Sequence, residues 1–184
     1  AGKTLLDWGL DSLAAVGVKE AVVNVHYLPD QIIAHVKSRP QPRIIISDER
    51  DALLDSAGGI VKALPLLGND PFYILNADTF WIDRSMSNLE RLALAWRPDR
   101  MDILLMLASL DQATGHSGSA DFLLGKDGRL QRAKGNPAGM IYAGAAIVSP
   151  KLFAVAETGG IPVGRGDALA PAEAAVARAA GQSA

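Results

Sequence analysis

An alternation constrains this chain more than any other feature. Up to about residue 109, short apolar runs rich in β-branched residues take turns with segments of helical periodicity. Thr4 to Val16 reads as a helix: Thr4 stands as N-cap with Asp7 at capping-box spacing, Leu6, Leu10, Leu13 and Ala14 share one face, and Gly17 suits the stop. Ala21 to Tyr27 reads as a strand broken by Pro29, and Asp30 caps a short helix from Gln31 to Lys37. After the Pro40-Gln41-Pro42 turn, Arg43 to Ser47 is an apolar strand of buried type, followed by an acidic loop from Asp48 to Asp55. Phe72 to Asn76 is a strand, Asn88 to Trp96 a helix and Asp102 to Ser109 a strongly apolar strand. This order implies an α/β fold: a Rossmann-like, mostly parallel sheet with helices on both faces. Ligands of such sheets bind beyond the carboxyl ends of the strands.

The second part reads differently. Phe122 to Gln131 is a hairpin with an Asp127-Gly128 turn, and Ile141 to Ser149 is another strand. Pro150 starts a short helix and Asp167 to Ala180 forms an Ala-rich one. A small antiparallel β portion thus follows the parallel one. With 184 residues, 49% of them hydrophobic, the chain suffices for one core and one domain. A net charge of −2 and no basic stripe argue against a nucleic-acid partner. The absence of cysteine excludes disulfides and thiolate metal sites and fits a reducing, cytoplasmic compartment. No apolar run approaches the roughly 20 residues of a membrane span.

The segment with most chemical content is Ser56-Ala57-Gly58-Gly59-Ile60-Val61-Lys62-Ala63-Leu64, followed by the strand ending at Asn76 and then Ala77-Asp78. A glycine-containing loop opens a helix, which Pro65 should shorten. The next strand ends in a carboxylate. Backbone N–H groups and a possible metal ligand therefore meet near one sheet edge, as phosphate chemistry requires. Each piece has a plainer reading. Gly58-Gly59 can be simple turn punctuation, and Asp78 an Asx-turn residue after a strand. Asn76 and Asp83 are further polar candidates, to orient a sugar or ligate a metal. Gly2-Lys3-Thr4 matches the end of a Walker A loop but lacks its first glycine and preceding strand. His26, His35 and His116 are scattered without ligand spacing, and no G-x-S-x-G or G-x-G-x-x-G occurs. Trp8, Trp81 and Trp96 read as core or site walls.

From Ala1 to Phe80, and again around Tyr142-Ala143-Gly144, the sequence resembles the sugar-1-phosphate nucleotidyltransferases. The likeness is strongest to their N-acetylmuramate-1-phosphate uridylyltransferase and mannose-1-phosphate guanylyltransferase-like branch. Asp55 to Leu67 is similar to that branch's helix-opening motif, Asn76-Ala77-Asp78 to its Asn-Gly-Asp-like element, and Ala1 to Leu6 to the piece opening the family's first helix, which displaces the Walker A reading. The resemblance implies transfer of a nucleotidyl group from an NTP to a sugar-1-phosphate, preferably UTP with N-acetylmuramate-1-phosphate. The alternatives are mannose-1-phosphate with GTP, a non-catalytic nucleotide-sugar-binding relative and, remotely, a P-loop NTPase. It also implies Mg²⁺ held by Asp78, nucleotide contacts from Ser56, Ala57, Gly58, Gly59 and Asn76, and sugar contacts from Tyr142 and Gly144. Residues 1–109 would form the nucleotide part, and residues 110–184 the sugar part with the last helix.

Three departures stand against this likeness. The family's glycine-rich first-strand loop is missing, Pro162-Val163-Gly164-Arg165 stands where a second carboxylate is usual, and residues 153–166 are short for a helix and strand. Strands 21–27 and 72–76 would then lack a shared neighbour and leave ladder groups bare. The polypeptide is therefore expected to be longer, with segments before Ala1 and near residue 160.

Overall fold

The first helix, α1 (Leu5–Ala15), starts where its cap dictates. The Thr4 side chain accepts from Asp7 N–H, and the Asp7 carboxylate accepts from Thr4 N–H, completing the capping box. The computed structural model describes residues 2–51, 54 and 56–154. After α1 come β1 (Glu20–Val25), α2 (Pro29–Val36), β2 (Arg43–Asp48), α3 (Ser56–Leu67), β3 (Phe72–Leu75) and α4 (Asn88–Ala95). Then follow β4 (Ile103–Ser109), a helical turn at Leu110–Gln112, β5 (Phe122–Leu124), β6 (Leu130–Arg132), β7 (Met140–Val148) and α5 (Lys151–Ala154). The helix expected over 167–180 and the segment at Pro162 lie outside the described residues.

Three local expectations need correcting. Pro29 does more than end β1. It is the first residue of α2, where its missing N–H costs no bond, and Asp30 sits in the first turn rather than at the cap. Pro65 does not stop α3, which runs two residues further to Leu67. Proline forfeits only its own bond to the carbonyl four residues back. The stop comes at Gly68, whose φ of +77° no β-carbon residue adopts readily. Gly58 and Gly59 are not a loop before the helix but part of its first turn.

β1 and β2 pair in parallel, from Glu20 opposite Arg43 to Val25 opposite Asp48. The other strands form a five-stranded sheet around β7, with β3, β4 and β5 all antiparallel to it and β6 on β5. β3 and β4 pair with overlapping stretches of β7, so they flank it and run in the same direction. The α4 crossover between them keeps the sense that the alternation implied. The antiparallel ladder arises because β7 inserts between them. The expected mostly parallel sheet is thus a parallel pair beside an antiparallel sheet, in an α/β architecture.

Side chains alternate between two cores. Leu104 and Met106 of β4 and Ala145 and Ile147 of β7 pack with Leu10 and Leu13 of α1 and Leu89, Leu92 and Trp96 at α4. Ile103 and Leu105, with Ala146 and Val148, face the other way, against Ile60, Val61 and Leu64 of α3 and Phe153 of α5. Helices therefore cover both faces. The first core also includes Ala21, Val23, Ile44 and Ile46, so it joins the parallel pair to the larger sheet. Among the described residues, one edge of β1 and one edge of β3 have no partner strand. A cleft of about 410 Å³ lies between them, walled by Leu6, Gly9, Leu10 and Leu13 of α1 and by Leu66 and Leu67 of α3.

Candidate functional site

The cleft's rim is built from polar residues at the carboxyl ends of the strands. On one side stands Asn24 in β1. Its Nδ2 donates to Glu49 Oε1 at 2.5 Å and to the Gly59 carbonyl at 3.0 Å. Gly59 is buried with an ordinary helical φ, so conformational freedom does not explain it. Space does: a β-carbon there would lie 2.9 Å from Glu49 Oε1 and 3.2 Å from Asn24 Nδ2. Gly58 and Ala57 are half-buried and Ser56 is exposed at the helix start. Lys62, further along α3, donates to the Asp48 carbonyl. The Asp48 carboxyl is held below the usual range by hydrogen bonds from Arg50, which also pairs with Asp30 and ties β2 to α2.

On the other side stand Asn76 and Ala77, directly after β3. Asn76 N–H donates to the Gly144 carbonyl at 2.8 Å, extending the β3–β7 ladder by one bond. Gly144 lies in a bulge, because Leu105 faces Ala146 whereas Leu107 faces Tyr142. Its φ is +77°, and a β-carbon would sit 2.9 Å from Thr79 Cβ. Glycine is therefore required twice over. The bulge lets the 76–79 loop lie against β7, with Asn76 bonded to Gly144 and Thr79 packed over it. Asp78 is exposed, and its Oδ1 accepts from Thr79 Oγ1 at 3.1 Å.

The structure does not bring every candidate to this rim. The Gly59 carbonyl is bonded to Asn24, and the Asp78 carboxylate to Thr79. The link is the cleft, with Asn24 beside Gly59 and Asn76 two residues before Asp78. Tyr142 lies outside the cleft lining: its backbone N–H donates to Asp121 Oδ2 and its ring packs into the second core. Burial pushes its phenol well above the usual value, so it stays protonated. Asp83 accepts from Asn88 N–H and braces the start of α4. Lys3 pairs with Asp11 and lies 4.2 Å over the Trp8 ring, while Thr4 caps α1. The Walker A-like residues are thereby occupied structurally. Trp8 in turn stacks on Phe80, Trp96 is core and Trp81 packs against it.

Sequence reasoning missed Asn24 and Glu49. The signal for Asn24 was a polar residue inside the Val-rich run of β1. Glu49 was hidden within the acidic loop that follows β2. Among the described residues, no three His, Asp or Glu side chains cluster as a metal site. Asp78 offers one carboxylate. Mg²⁺ commonly takes one or two carboxylates and completes its shell with water and phosphate oxygens. The donor set fits an ion arriving with a polyphosphate, not one caged by protein.

No protein-family model matches the chain. The N-acetylmuramate alpha-1-phosphate uridylyltransferase of Caulobacter vibrioides is 42% identical over 159 residues, which cover 84% of this chain and 66% of that protein. The enzyme of the same name from Neisseria meningitidis is 32% identical over 174 residues, 91% of this chain and 73% of that protein. Among solved structures, the inositol-1-phosphate CTP transferase of T. maritima superposes with a TM-score of 0.65 at 16% identity, covering 84% of this chain and 61% of that one. This last likeness speaks to the fold. The chain spans 66% of the Caulobacter relative's length.

Proposed function

The chain belongs to the sugar-1-phosphate nucleotidyltransferase family, and from that membership we propose that it joins UTP to N-acetylmuramate-1-phosphate with release of pyrophosphate. The observation carrying this reading is its identity with the Caulobacter uridylyltransferase across most of its length. In this reaction a phosphate oxygen of the sugar-1-phosphate attacks the α-phosphorus of UTP. The bond from that phosphorus to the β-bridging oxygen breaks, and its electron pair leaves with pyrophosphate. No protein nucleophile is needed, so the chain's work is positioning and charge stabilisation.

Ser56, Ala57, Gly58 and Gly59 border the base and ribose, where the absent side chain of Gly58 permits close approach and Gly59 seats the turn against Glu49 and Asn24. Asn76 orients the nucleotide from the opposite rim. Asp78 holds Mg²⁺, which when bound neutralises charge on the transferring group. Gly144, packed under Thr79, seats the 76–79 loop beside the sugar, and Tyr142 forms the wall behind it. Residues 1–109 carry the nucleotide and residues 110–184 the sugar. A second reading, a nucleotide-sugar-binding module without turnover, is favoured by the lack, among the described residues, of a cluster of acidic and histidine side chains that would cage a metal.

The test is pyrophosphate release with Mg²⁺ from two pairs: UTP with N-acetylmuramate-1-phosphate, and GTP with mannose-1-phosphate. The first pair should react and the second should lag. Release from neither pair, with binding of a nucleotide sugar retained, would leave the second reading standing.

A further inference from the structure

Glu49 is a carboxylate that the reaction does not use, yet it is only 5% exposed. Its main chain is held on both sides: its N–H donates to the Val25 carbonyl at 2.8 Å, and its own carbonyl accepts from His26 Nδ1 at 2.7 Å. Among the described residues no ion pair includes it. A carboxylate withdrawn from water is costly unless hydrogen bonds repay it. Here the bond comes from Asn24 Nδ2, whose other hydrogen goes to the Gly59 carbonyl.

That shared nitrogen carries the argument. An asparagine amide can sit either way round. Flipped, Asn24 would turn its oxygen toward the Glu49 carboxylate and the Gly59 carbonyl, acceptor against acceptor. The carboxylate therefore selects one orientation and holds the amide hydrogens on Gly59. The fit leaves no slack, since a β-carbon at residue 59 would press on Glu49 Oε1. We propose that Glu49 is a positioning residue for nucleotide binding. Through Asn24, which lines the cleft, it fixes the Gly59 carbonyl and with it the first turn of α3. The proposal rests on the nucleotide reading of that turn. Glu49 itself meets no substrate; Asn24 transmits its effect, because Asn24 both lines the cleft and grips the helix.

The experiment compares Glu49→Ala with Glu49→Gln, which keeps a carbonyl acceptor for the Asn24 amide. Initial rates of pyrophosphate release give KM for UTP and kcat. Hydrogen-exchange mass spectrometry reads the peptide covering residues 56–64 without nucleotide. Glu49→Ala should raise KM for UTP about tenfold while kcat changes by less than about twofold. Exchange at 56–64 should quicken. Glu49→Gln should restore both toward the parent. A Glu49→Ala protein with parental KM and parental exchange overturns the proposal, as does a Glu49→Gln protein as impaired as Glu49→Ala. If Glu49→Ala does not fold, Asn24→Ala reads the same brace: faster exchange at 56–64 supports it, and parental exchange overturns it. Should the parent neither bind nor turn over UTP, the nucleotide reading fails, and exchange still decides whether Glu49 holds the turn.

Discussion

Single glycines explain much of this site, for two different reasons. Gly59 needs no special dihedral angle; it is small because Glu49 and Asn24 occupy the space a side chain would take. Gly144 needs both its left-handed φ and its empty β-position under Thr79. Gly144→Ala should therefore destabilise the fold by about 1–3 kcal/mol from the dihedral angle alone, and more if Thr79 cannot give way. Urea unfolding of the two proteins reads the difference. The pair Gly58-Gly59 was not legible as helical, because glycine pairs are statistically turn punctuation. Gly59 is held in α3 by contact with residues 24 and 49, far away in sequence. Asn76-Ala77-Asp78 was legible as the exposed polar segment after β3, because a strand's carboxyl end is where an α/β sheet turns toward its crevice.

Among the elements, α1 shows most directly how local code and tertiary charge combine. Its capping box was readable from Thr4 and Asp7 alone. Thr4→Ala should cost about 1 kcal/mol, seen as a lower Tm. What could not be read was that Asp7 and Asp11 also bind α2 and its end, through His35 and Arg39. Burial works against ionisation of Asp7, but hydrogen bonds from Thr4 and His35 outweigh it and the carboxyl lies below its ordinary value. Burial likewise opposes ionisation of Asp11, and Lys3 with Arg39 overcomes it. Both folded pKa values are lowered, so at mildly acidic pH the unfolded chain binds more protons. The stability these groups contribute is present above their unfolded values, about 3.9, and disappears as pH falls through the folded ones. Thermal melts between pH 5 and pH 3 should show Tm falling, with a shallower fall for Asp7→Asn and Asp11→Asn. A parallel fall in all three proteins would remove these carboxylates from the account.

For the molecule as a whole, the cleft between β1 and β3 is the organising fact. α1 carries Leu10 and Leu13 into a core that includes Ala21 and Ile44 from one sheet and Leu104 and Ile147 from the other, so one body holds both rims. The α/β class was legible because the alternation of strand and helix needs only local periodicity. The antiparallel ladders around β7 were not, because they depend on where a late strand inserts. A ligand spanning the two rims should stabilise the whole body. UTP with Mg²⁺ at 100 times its Kd should add about 2.7 kcal/mol, a clear upward shift in Tm, and ATP at the same concentration should add less. The most direct test of the central claim concerns Asp78. Rates of pyrophosphate release from UTP and N-acetylmuramate-1-phosphate should fall about a hundredfold in Asp78→Asn, equivalent to roughly 2.7 kcal/mol, with Tm unchanged because the side chain is exposed. A variant that turns over at the parent's rate would contradict the account.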